Sequence, residues 1–299
     1  METFGPFETG RLLDSGGGAT VYEARKQDDR QGRYAVKVFS LDRLVSGEPQ
    51  ETATELAPLF HDIGDAFIQE VTVQKQAAEG SRSFAPILDT GQDERGPWYA
   101  TKFYVRSIQG MLDRLVVLEP RDLFHVVLTV VDAALHMKKV CGRSHGNLKP
   151  SNIFLDGAGK PRDSQVVVSD PLPGGPGESA RYELADLRAI GELLYQLALH
   201  RKADFSSGWV IVPVEATREW SDLFGERTQK WLELCNRLLD PHLDRQDYTL
   251  DQLRSDLLAL KPKQSIAVLA VSAAAAVVLA SLFAGYLLFH HQKIGRAHV

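Results

Sequence analysis

The hydrophobic pattern of the chain changes once, between its first hundred residues and the part that follows Gln109. In the first part, short segments rich in β-branched and aromatic residues alternate with glycine-rich or polar turns, as is typical of strands. In the second part, apolar residues recur at the spacing of a helix face. A strand-rich part followed by a helix-rich part predicts an α+β fold of two lobes with a cleft between them.

The individual elements follow from the same patterns. The expected strands are Arg11–Ser15, Ala19–Lys26, Arg33–Phe39, Trp98–Val105, Asn152–Asp156 and Gln165–Asp170. The expected helices are Asp65–Glu79, a helix that Pro120 opens, Leu184–Ala198, Thr228–Leu239 and Leu250–Leu260.

A long apolar run lies near the C-terminus. Residues Ser265–Phe289 form a stretch of 25 residues without a charge. As a helix this stretch spans a hydrocarbon core of ~30 Å, and helices of soluble cores rarely stay apolar on every face for so long. We therefore expect one C-terminal transmembrane helix at 265–289, joined to the preceding domain by a linker at 259–264.

The location of the large N-terminal part is predicted from its composition. The first residues, METFGPFETG, carry neither a basic segment nor an apolar run of the kind that directs export. The two cysteines, Cys141 and Cys235, match no metal or disulfide spacing and fit a reducing compartment. We expect a single-pass membrane protein whose large domain is cytoplasmic. The formal net charge of −5 gives no support to a nucleic-acid partner.

Two features of the C-terminal region bear on assembly and length. Small residues recur at Ala276, Ala280 and Ala284, a spacing that favours helix–helix contact but that also arises by chance in alanine-rich spans. A homodimer through this helix is thus left open. In the tail at 290–299, the final IGRAHV corresponds to codons that resemble a sequencing adapter, so we expect an artefact from residue 294 and a natural chain that continues past Lys293.

Three motifs carry the chemistry. Gly16, Gly17 and Gly18 lie between two expected strands, where they either cradle a phosphate or form a simple hairpin turn. Lys37 lies among apolar strand residues and needs an anionic partner, for which Glu70 is the candidate. The third motif is SHGNLKPSNIFLD at Ser144–Asp156, followed by VVVSD that ends at Asp170.

In this order and spacing, the motifs resemble those of the protein kinases, especially bacterial serine/threonine kinases. The resemblance covers residues 5–258, with a β-rich N-lobe at about 5–104 and a helical C-lobe at about 105–258. It implies ATP and Mg²⁺ as ligands. The implied nucleotide-binding residues are Gly16, Gly17, Gly18, Val21, Ala35, Lys37, Glu70, Thr101 and Phe154. The implied metal ligands are Asn152 and Asp170, and Lys149 is the implied phosphate contact of the catalytic loop.

The departures from the family pattern concern catalysis. Asn147 stands where the family has its catalytic aspartate, and an amide lacks the basicity to accept a proton from a substrate hydroxyl. Gly146 replaces the preceding arginine. Pro171 and Leu172 replace the phenylalanine and glycine after the magnesium aspartate, and Gln74 is polar where the family stacks an apolar side chain.

The segment after Asp170 is also short. Only fifteen residues separate Asp170 from Asp186, which resembles the aspartate of the long C-lobe helix. Glu183 is the stand-in for the family's glutamate at the end of this segment, and Arg245 resembles the arginine that usually pairs with that glutamate. So short a segment leaves little chain for a platform that binds a peptide substrate.

These observations support three hypotheses. The first is a membrane-anchored pseudokinase that binds ATP, transfers phosphate weakly or not at all, and acts as a signalling scaffold. The second is an active serine/threonine kinase that relies on positioning and electrostatics without the aspartate. The third is an anchored scaffold that binds no nucleotide. The sequence therefore leaves open whether the protein is an enzyme.

Overall fold

The computed structural model of the chain describes residues 2–16, 19–39, 50–93, 96–201 and 215–262. The strands are β1 Thr3–Phe4, β2 Phe7–Gly16, β3 Ala19–Lys26, β4 Asp29–Phe39, β5 Ile87–Asp93, β6 Gly96–Lys102, β7 Arg106–Ser107, β8 Ile153–Asp156 and β9 Gln165–Val168. The α-helices are α1 Gln50–Ala78, α2 Ile108–Asp113, α3 Pro120–Cys141, α4 Ser179–Leu199, α5 Arg218–Phe224, α6 Thr228–Leu238 and α7 Leu250–Ala259.

The N-terminal part is an antiparallel sheet with the strand order β1-β2-β3-β4-β6-β5. One apolar cluster includes Phe4, Phe7 and Trp98, and Phe7 packs edge-on against Trp98. A second cluster joins Phe39 and Tyr99 of the sheet to Phe67 of α1. These aromatic contacts orient α1, the helix that carries Glu70, against the sheet.

The C-terminal part is built around α3. Pro120 occupies the first turn of this helix, and Gly142 ends it in a left-handed conformation with a φ of 70°. The face of α3 that is buried contacts α4 and α7, and α4 packs on α6. The small sheet β7-β8-β9 lies beside α3. Asn152 directly precedes β8, and Asp170 follows the end of β9 by two residues.

The expected elements are present, and several of them differ in length from the predicted ranges. Helix α1 begins at Gln50 rather than at Asp65. Strand β6 ends at Lys102 rather than at Val105, because the chain leaves the sheet there to connect the two parts and Val105 is exposed. The resulting mixed fold, with a sheet-rich N-terminal part and a helical C-terminal part, agrees with the predicted two-lobed architecture.

All of these elements belong to one compact unit, Met1–Leu260. Within the described ranges, no helix is both long and apolar enough to cross a membrane. The apolar run at 265–289, the tail, and the loop residues Gly17 and Gly18 lie outside those ranges. The transmembrane helix, its linker and the domain boundaries therefore remain predictions.

Candidate functional site

A cavity of about 460 Å³ opens between the N-terminal sheet and the C-terminal part. Both apolar side chains and charged or polar side chains line it. The predicted site residues that line it are Val21, Ala35, Lys37, Thr101, Asn152, Phe154 and Asp170. A volume of this size and a mostly apolar lining are typical of a small-molecule or nucleotide site.

Strand pairing aims the side chains of two neighbouring strands into this cavity. In the antiparallel pair of β4 and β6, Lys37 lies opposite Tyr99 and Ala35 lies opposite Thr101. Residues that lie opposite each other share one face of the sheet, and alternate residues on a strand do the same. All four side chains therefore face the cavity.

The ammonium group of Lys37 lies between two carboxylates. Its Nζ is 2.7 Å from Oε1 of Glu70 and 3.5 Å from Oδ2 of Asp170, and the side chains of Lys37 and Glu70 are only 16% and 15% exposed. Burial disfavours the charged ammonium, but the attraction of Asp170 and Glu70 outweighs this effect, so the pKa of Lys37 is raised above its usual value. Lys37 thus keeps its positive charge at neutral pH and presents it to the cavity.

Tyr99 completes this charged cluster. Its hydroxyl lies 2.8 Å from Oδ1 of Asp170 and 3.0 Å from Oε1 of Glu70. Burial and the two neighbouring carboxylates raise the pKa of Tyr99 well above its usual value, so it stays a neutral donor. Burial raises the pKa of Asp170, but Lys37 and the Tyr99 hydrogen bond outweigh it and hold that pKa below its usual value. The pKa of Glu70 is raised by burial and by the charge of Asp170.

The main chain of Asp170 is held from both sides. Its N–H donates to Oε1 of Gln74 at 2.9 Å, and its carbonyl oxygen accepts a hydrogen bond from Nδ2 of Asn147 at 2.8 Å. Asp170 adopts a φ of 58°, a left-handed conformation that is uncommon for a residue other than glycine. Together with the contacts of its carboxylate, these bonds define the position of Asp170 in the cleft.

The loop that carries Asn147 is anchored to α4. Both carboxylate oxygens of Asp186 accept main-chain N–H groups, from His145 at 2.7 Å and from Gly146 at 2.8 Å. The Nδ1 atom of His145 accepts the N–H of Asn147, which leaves Nε2 to donate to the carbonyl oxygen of Ser169. Burial lowers the pKa of His145 to about 3, so the ring is neutral at physiological pH.

The glycine at position 146 is required by its surroundings. Its φ is +78°, and a Cβ atom added there would lie 2.8 Å from Cδ1 of Tyr182. The buried guanidinium of Arg143 lies over the Tyr182 ring, 5.0 Å from its centre, and donates to the carbonyl oxygen of Leu172. Tyr182 and Leu172 therefore occupy the space that a side chain at position 146 would enter, and Arg143 contacts both of these residues.

The oxygen atoms of Asp170 and Asn152 fit the Mg²⁺ complex of a nucleotide. Asp170 offers carboxylate oxygens and Asn152 an amide oxygen, and both residues line the cavity. Magnesium sites of this kind use one or two protein ligands together with substrate phosphates. Among the described residues, no group of three or more acidic, histidine or cysteine side chains could hold a metal ion. When bound, the ion would neutralise phosphate charge.

The position of a general base is filled by a group that is not basic. The Asn147 amide donates a hydrogen bond to the carbonyl oxygen of Asp170. An amide is not basic enough to accept a proton from a substrate hydroxyl. Of the other carboxylates that line the cavity, Asp14 accepts the N–H of Ser15, and Asp113 accepts a hydrogen bond from Gln109. Lys37 thus offers the cleft a positive charge of the kind that suits a phosphate group, whereas the side chain of Asn147 offers no basic group.

Several predicted site residues are not part of the cavity lining or lie outside the described ranges, and Glu70 and Asn147 contact lining residues without lining the cavity themselves. Lys149 is exposed and precedes the short 3₁₀ turn Pro150–Asn152, and it does not line the cavity. Gly16 ends strand β2, whereas Gly17 and Gly18 lie outside the described ranges.

The glutamate of the short segment has a different partner from the one the resemblance implies. Glu183 forms an ion pair with Lys138 at 2.7 Å and accepts the N–H of Leu250 at 3.0 Å, whereas Arg245 is exposed. The pairing of Glu183 with Arg245 implied by the resemblance is therefore wrong. Glu183 instead ties the start of α4 to α3 and α7.

Sequence reasoning missed three residues of the site: Tyr99, Arg143 and Tyr182. Tyr99 had a detectable signal, since it lies two residues before Thr101 on the same strand and therefore on the same face. Arg143 and Tyr182 had no such signal, because they meet only through the folding of the chain. Gln74 was recognised as polar, but its partners were not.

Comparison with known proteins supports the fold and nothing finer. A solved structure similar to this chain is the PknI kinase domain of Mycobacterium tuberculosis, with a TM-score of 0.54 and a sequence identity of 17%. The match covers 87% of this chain and 98% of that domain. No protein-family model and no curated protein matches the sequence. The chain therefore has a protein-kinase-like fold.

Proposed function

We propose that the chain is a membrane-anchored, kinase-like protein that binds ATP with Mg²⁺ in its cleft and transfers phosphate weakly or not at all. The observation that carries this proposal is the contrast within one site. The ammonium of Lys37, the group proposed to hold phosphates, lies within 3.5 Å of the carboxylates of Glu70 and Asp170. The position of the base holds Asn147, whose amide is a donor to Asp170.

The cleft suits a purine nucleotide in shape and charge. Val21, Ala35 and Phe154 supply apolar lining, and Phe154 is stacked on Tyr104 at 5.2 Å between ring centres. Lys37 supplies a positive charge in the same cleft. Because the carboxylates of Asp170 and Asp14 also line the cleft, a free triphosphate would meet negative charge, so we expect the Mg²⁺ complex to bind better than free ATP.

The membrane anchor and the location of the domain rest on the sequence. We propose that residues 265–289 span the membrane once and that the kinase-like domain faces the cytoplasm, with contact between two copies through the span as a further proposal. Such a protein would present a surface at the membrane to a protein partner. Separation of membrane and soluble fractions after expression of the full chain, with and without residues 265–289, tests the anchor.

A thermal-shift titration of the full chain with Mg·ATP tests nucleotide binding. At a ligand concentration of 100 times its Kd, binding adds ~2.7 kcal/mol to the free energy of unfolding. We expect a rise in Tm for the wild type and little or no rise for Lys37→Met, which removes the charge but keeps an apolar side chain of similar length. If neither protein responds, the cleft binds no nucleotide and the chain is a scaffold of another kind.

Phosphate transfer separates this proposal from an active kinase, which the intact Lys37, Glu70 and Asp170 cluster also favours. We expect radiolabel from ATP to enter the wild type no faster than Lys37→Met. General-base assistance is worth ~10²–10⁴ in rate, so its loss should bring transfer close to background. Incorporation by the wild type that clearly exceeds that of Lys37→Met would establish an active kinase instead.

A further inference from the structure

The side chain of Gln74 bridges α1 and the loop that ends in Asp170. Gln74 lies on α1 four residues after Glu70, so both side chains leave the same face of the helix. Its Oε1 atom accepts the N–H of Asp170 at 2.9 Å, and its Nε2 atom donates to the carbonyl oxygen of Ala85 at 2.9 Å. The residue is fully buried, with an exposure of 0%. Both ends of its amide are therefore satisfied in the interior.

Asn147 makes the complementary contact. Its Nδ2 atom donates to the carbonyl oxygen of Asp170. The main-chain N–H and the main-chain carbonyl oxygen of Asp170 thus each have a side-chain amide as partner. The two amides come from separate elements, α1 and the loop after His145, and are brought together only by the fold. Gln74 and Asn147 are also two of the positions that depart from the kinase pattern, and here they act on one residue.

A side-chain amide meets the requirements of both positions. At position 74 the side chain must accept from one main-chain group and donate to another, which leucine cannot do. At position 147 it must donate to a carbonyl oxygen, which an ionised carboxylate cannot do. Loss of either bond leaves a buried or half-buried main-chain group without its partner, which is unfavourable.

The backbone of Asp170 needs such support. Its φ of 58° lies in a region that non-glycine residues rarely occupy, and such conformations persist only where the surroundings hold them. The next residue, Pro171, restricts the backbone further because its ring limits the conformations of the residue before it. Leu172 is in turn held by its N–H, which donates to the carbonyl oxygen of His145 at 3.1 Å.

We propose that Gln74 and Asn147 form an amide clamp that holds Asp170 in its cleft-facing position before any ligand binds. The segment after Asp170 then keeps a single conformation, and the nucleotide site is formed before the ligand binds. Gln74 is a positioning residue in this scheme, because it acts on the ligand through Asp170. The ligand itself rests on the proposed function, whereas the clamp is a property of the free protein.

Hydrogen exchange on the full chain without nucleotide tests the clamp. The variants are Gln74→Leu and Asn147→Ala, and the reporters are the amides of Asp170 and Leu172. We expect exchange at these amides to be about tenfold faster or more in either variant, as for loss of one buried hydrogen bond. In the double variant the two effects should not add, because both bonds hold the same residue.

Gln76→Leu is the matched control. Gln76 lies on the same helix, and its amide also donates to a main-chain oxygen of the C-terminal part, that of Val140 at 2.6 Å, without touching Asp170. Its loss should leave exchange at Asp170 and Leu172 within twofold of the wild type. Exchange in the core of α3 reports on overall folding, and should Gln74→Leu fail to fold, Asn147→Ala at its half-buried site still tests the clamp.

A second measurement, with saturating Mg·ATP, separates a positioning role from a merely structural one. Nucleotide should change exchange at Leu172 less than twofold in the wild type, whose site is already formed. In Gln74→Leu it should slow exchange about tenfold, because the ligand selects the clamped state from an open one. Wild-type exchange rates in both unliganded variants would overturn the clamp. Absence of nucleotide binding would overturn the proposed function and leave the unliganded result standing.

Discussion

The side-chain amide of Asn147 donates a hydrogen bond to the main-chain oxygen of Asp170 across 2.8 Å. The asparagine is thus part of the structure that positions Asp170, the residue that we propose as a metal ligand. A charged aspartate in its place would direct a carboxylate at a carbonyl oxygen. The proposed absence of a base and the position of Asp170 are therefore linked through one residue.

The first prediction concerns this bond. We expect Asn147→Asp to reduce the free energy of unfolding by ~1–3 kcal/mol, since the Asp170 carbonyl loses its donor and faces a negative charge. We also expect no more phosphate transfer than in the wild type, because the gain of a carboxylate is offset by the loss of an anchor for Asp170. Urea denaturation and radiolabel incorporation measure the two effects. A hundredfold gain in transfer would contradict this prediction.

The second prediction concerns the hydroxyl of Tyr99. Tyr99→Phe removes the donor that Glu70 and Asp170 share, and two buried carboxylates beside one lysine are then less well compensated. We expect a loss of ~1–3 kcal/mol in the free energy of unfolding, measured in urea. Tyr104→Phe is the control, because Tyr104 packs on Phe154 through its ring, which the change retains. Equal effects of the two changes would show that the Tyr99 hydroxyl is not stabilising.

The third prediction concerns the backbone at Gly146. We expect Gly146→Ala to cost at least ~1–3 kcal/mol, because its φ of +78° strains any L-residue and the Tyr182 ring must move away from the new Cβ atom. Gly177→Ala is the control, since a Cβ atom there meets nothing within 4 Å, and it should be close to neutral. Chemical denaturation of both variants decides the matter. A neutral Gly146→Ala would contradict the geometry of the loop.

The fourth prediction concerns pH and His145. Burial lowers its pKa to about 3, against ~6.5 in an unfolded chain, so the unfolded state binds a proton more readily. The stabilisation from the neutral ring is fully present above pH ~6.5 and is lost as the pH falls towards about 3. Between pH 7 and pH 5 this single group should remove ~2 kcal/mol from the free energy of unfolding.

Comparison of variants isolates that contribution. Burial raises the pKa of Asp186 to about 7, so protonation of this carboxylate increases the free energy of unfolding as the pH falls below 7. This change opposes that of His145, and the wild-type profile alone does not report on His145. Urea denaturation at pH 7 and pH 5 should show that His145→Asn lacks the His145 contribution, whereas a change at the exposed His242, such as His242→Asn, leaves it in place. Identical pH dependence in wild type and His145→Asn would refute the buried, neutral state of His145.

Local patterns in the chain were enough to predict most of the elements and part of the site. Alternating residues identified the strand that carries Lys37, and helical spacing identified the helix that carries Glu70, because both periods repeat within a few residues. The loop around Asn147 was recognisable from its motif, as was its lack of a base. Charge reasoning also named Glu70 as a candidate partner for Lys37, and the two groups lie 2.7 Å apart.

The contacts that hold Asp170 required the tertiary structure. Gln74 and Tyr99 precede it by 96 and 71 residues, and no local period relates positions so far apart. The same reason explains why Glu183 pairs with Lys138 and not with Arg245. The sequence alone shows which charged or polar groups require a partner. Which partner each group contacts depends on the packing of the sheet and the helices, because that packing brings distant groups within hydrogen-bonding distance.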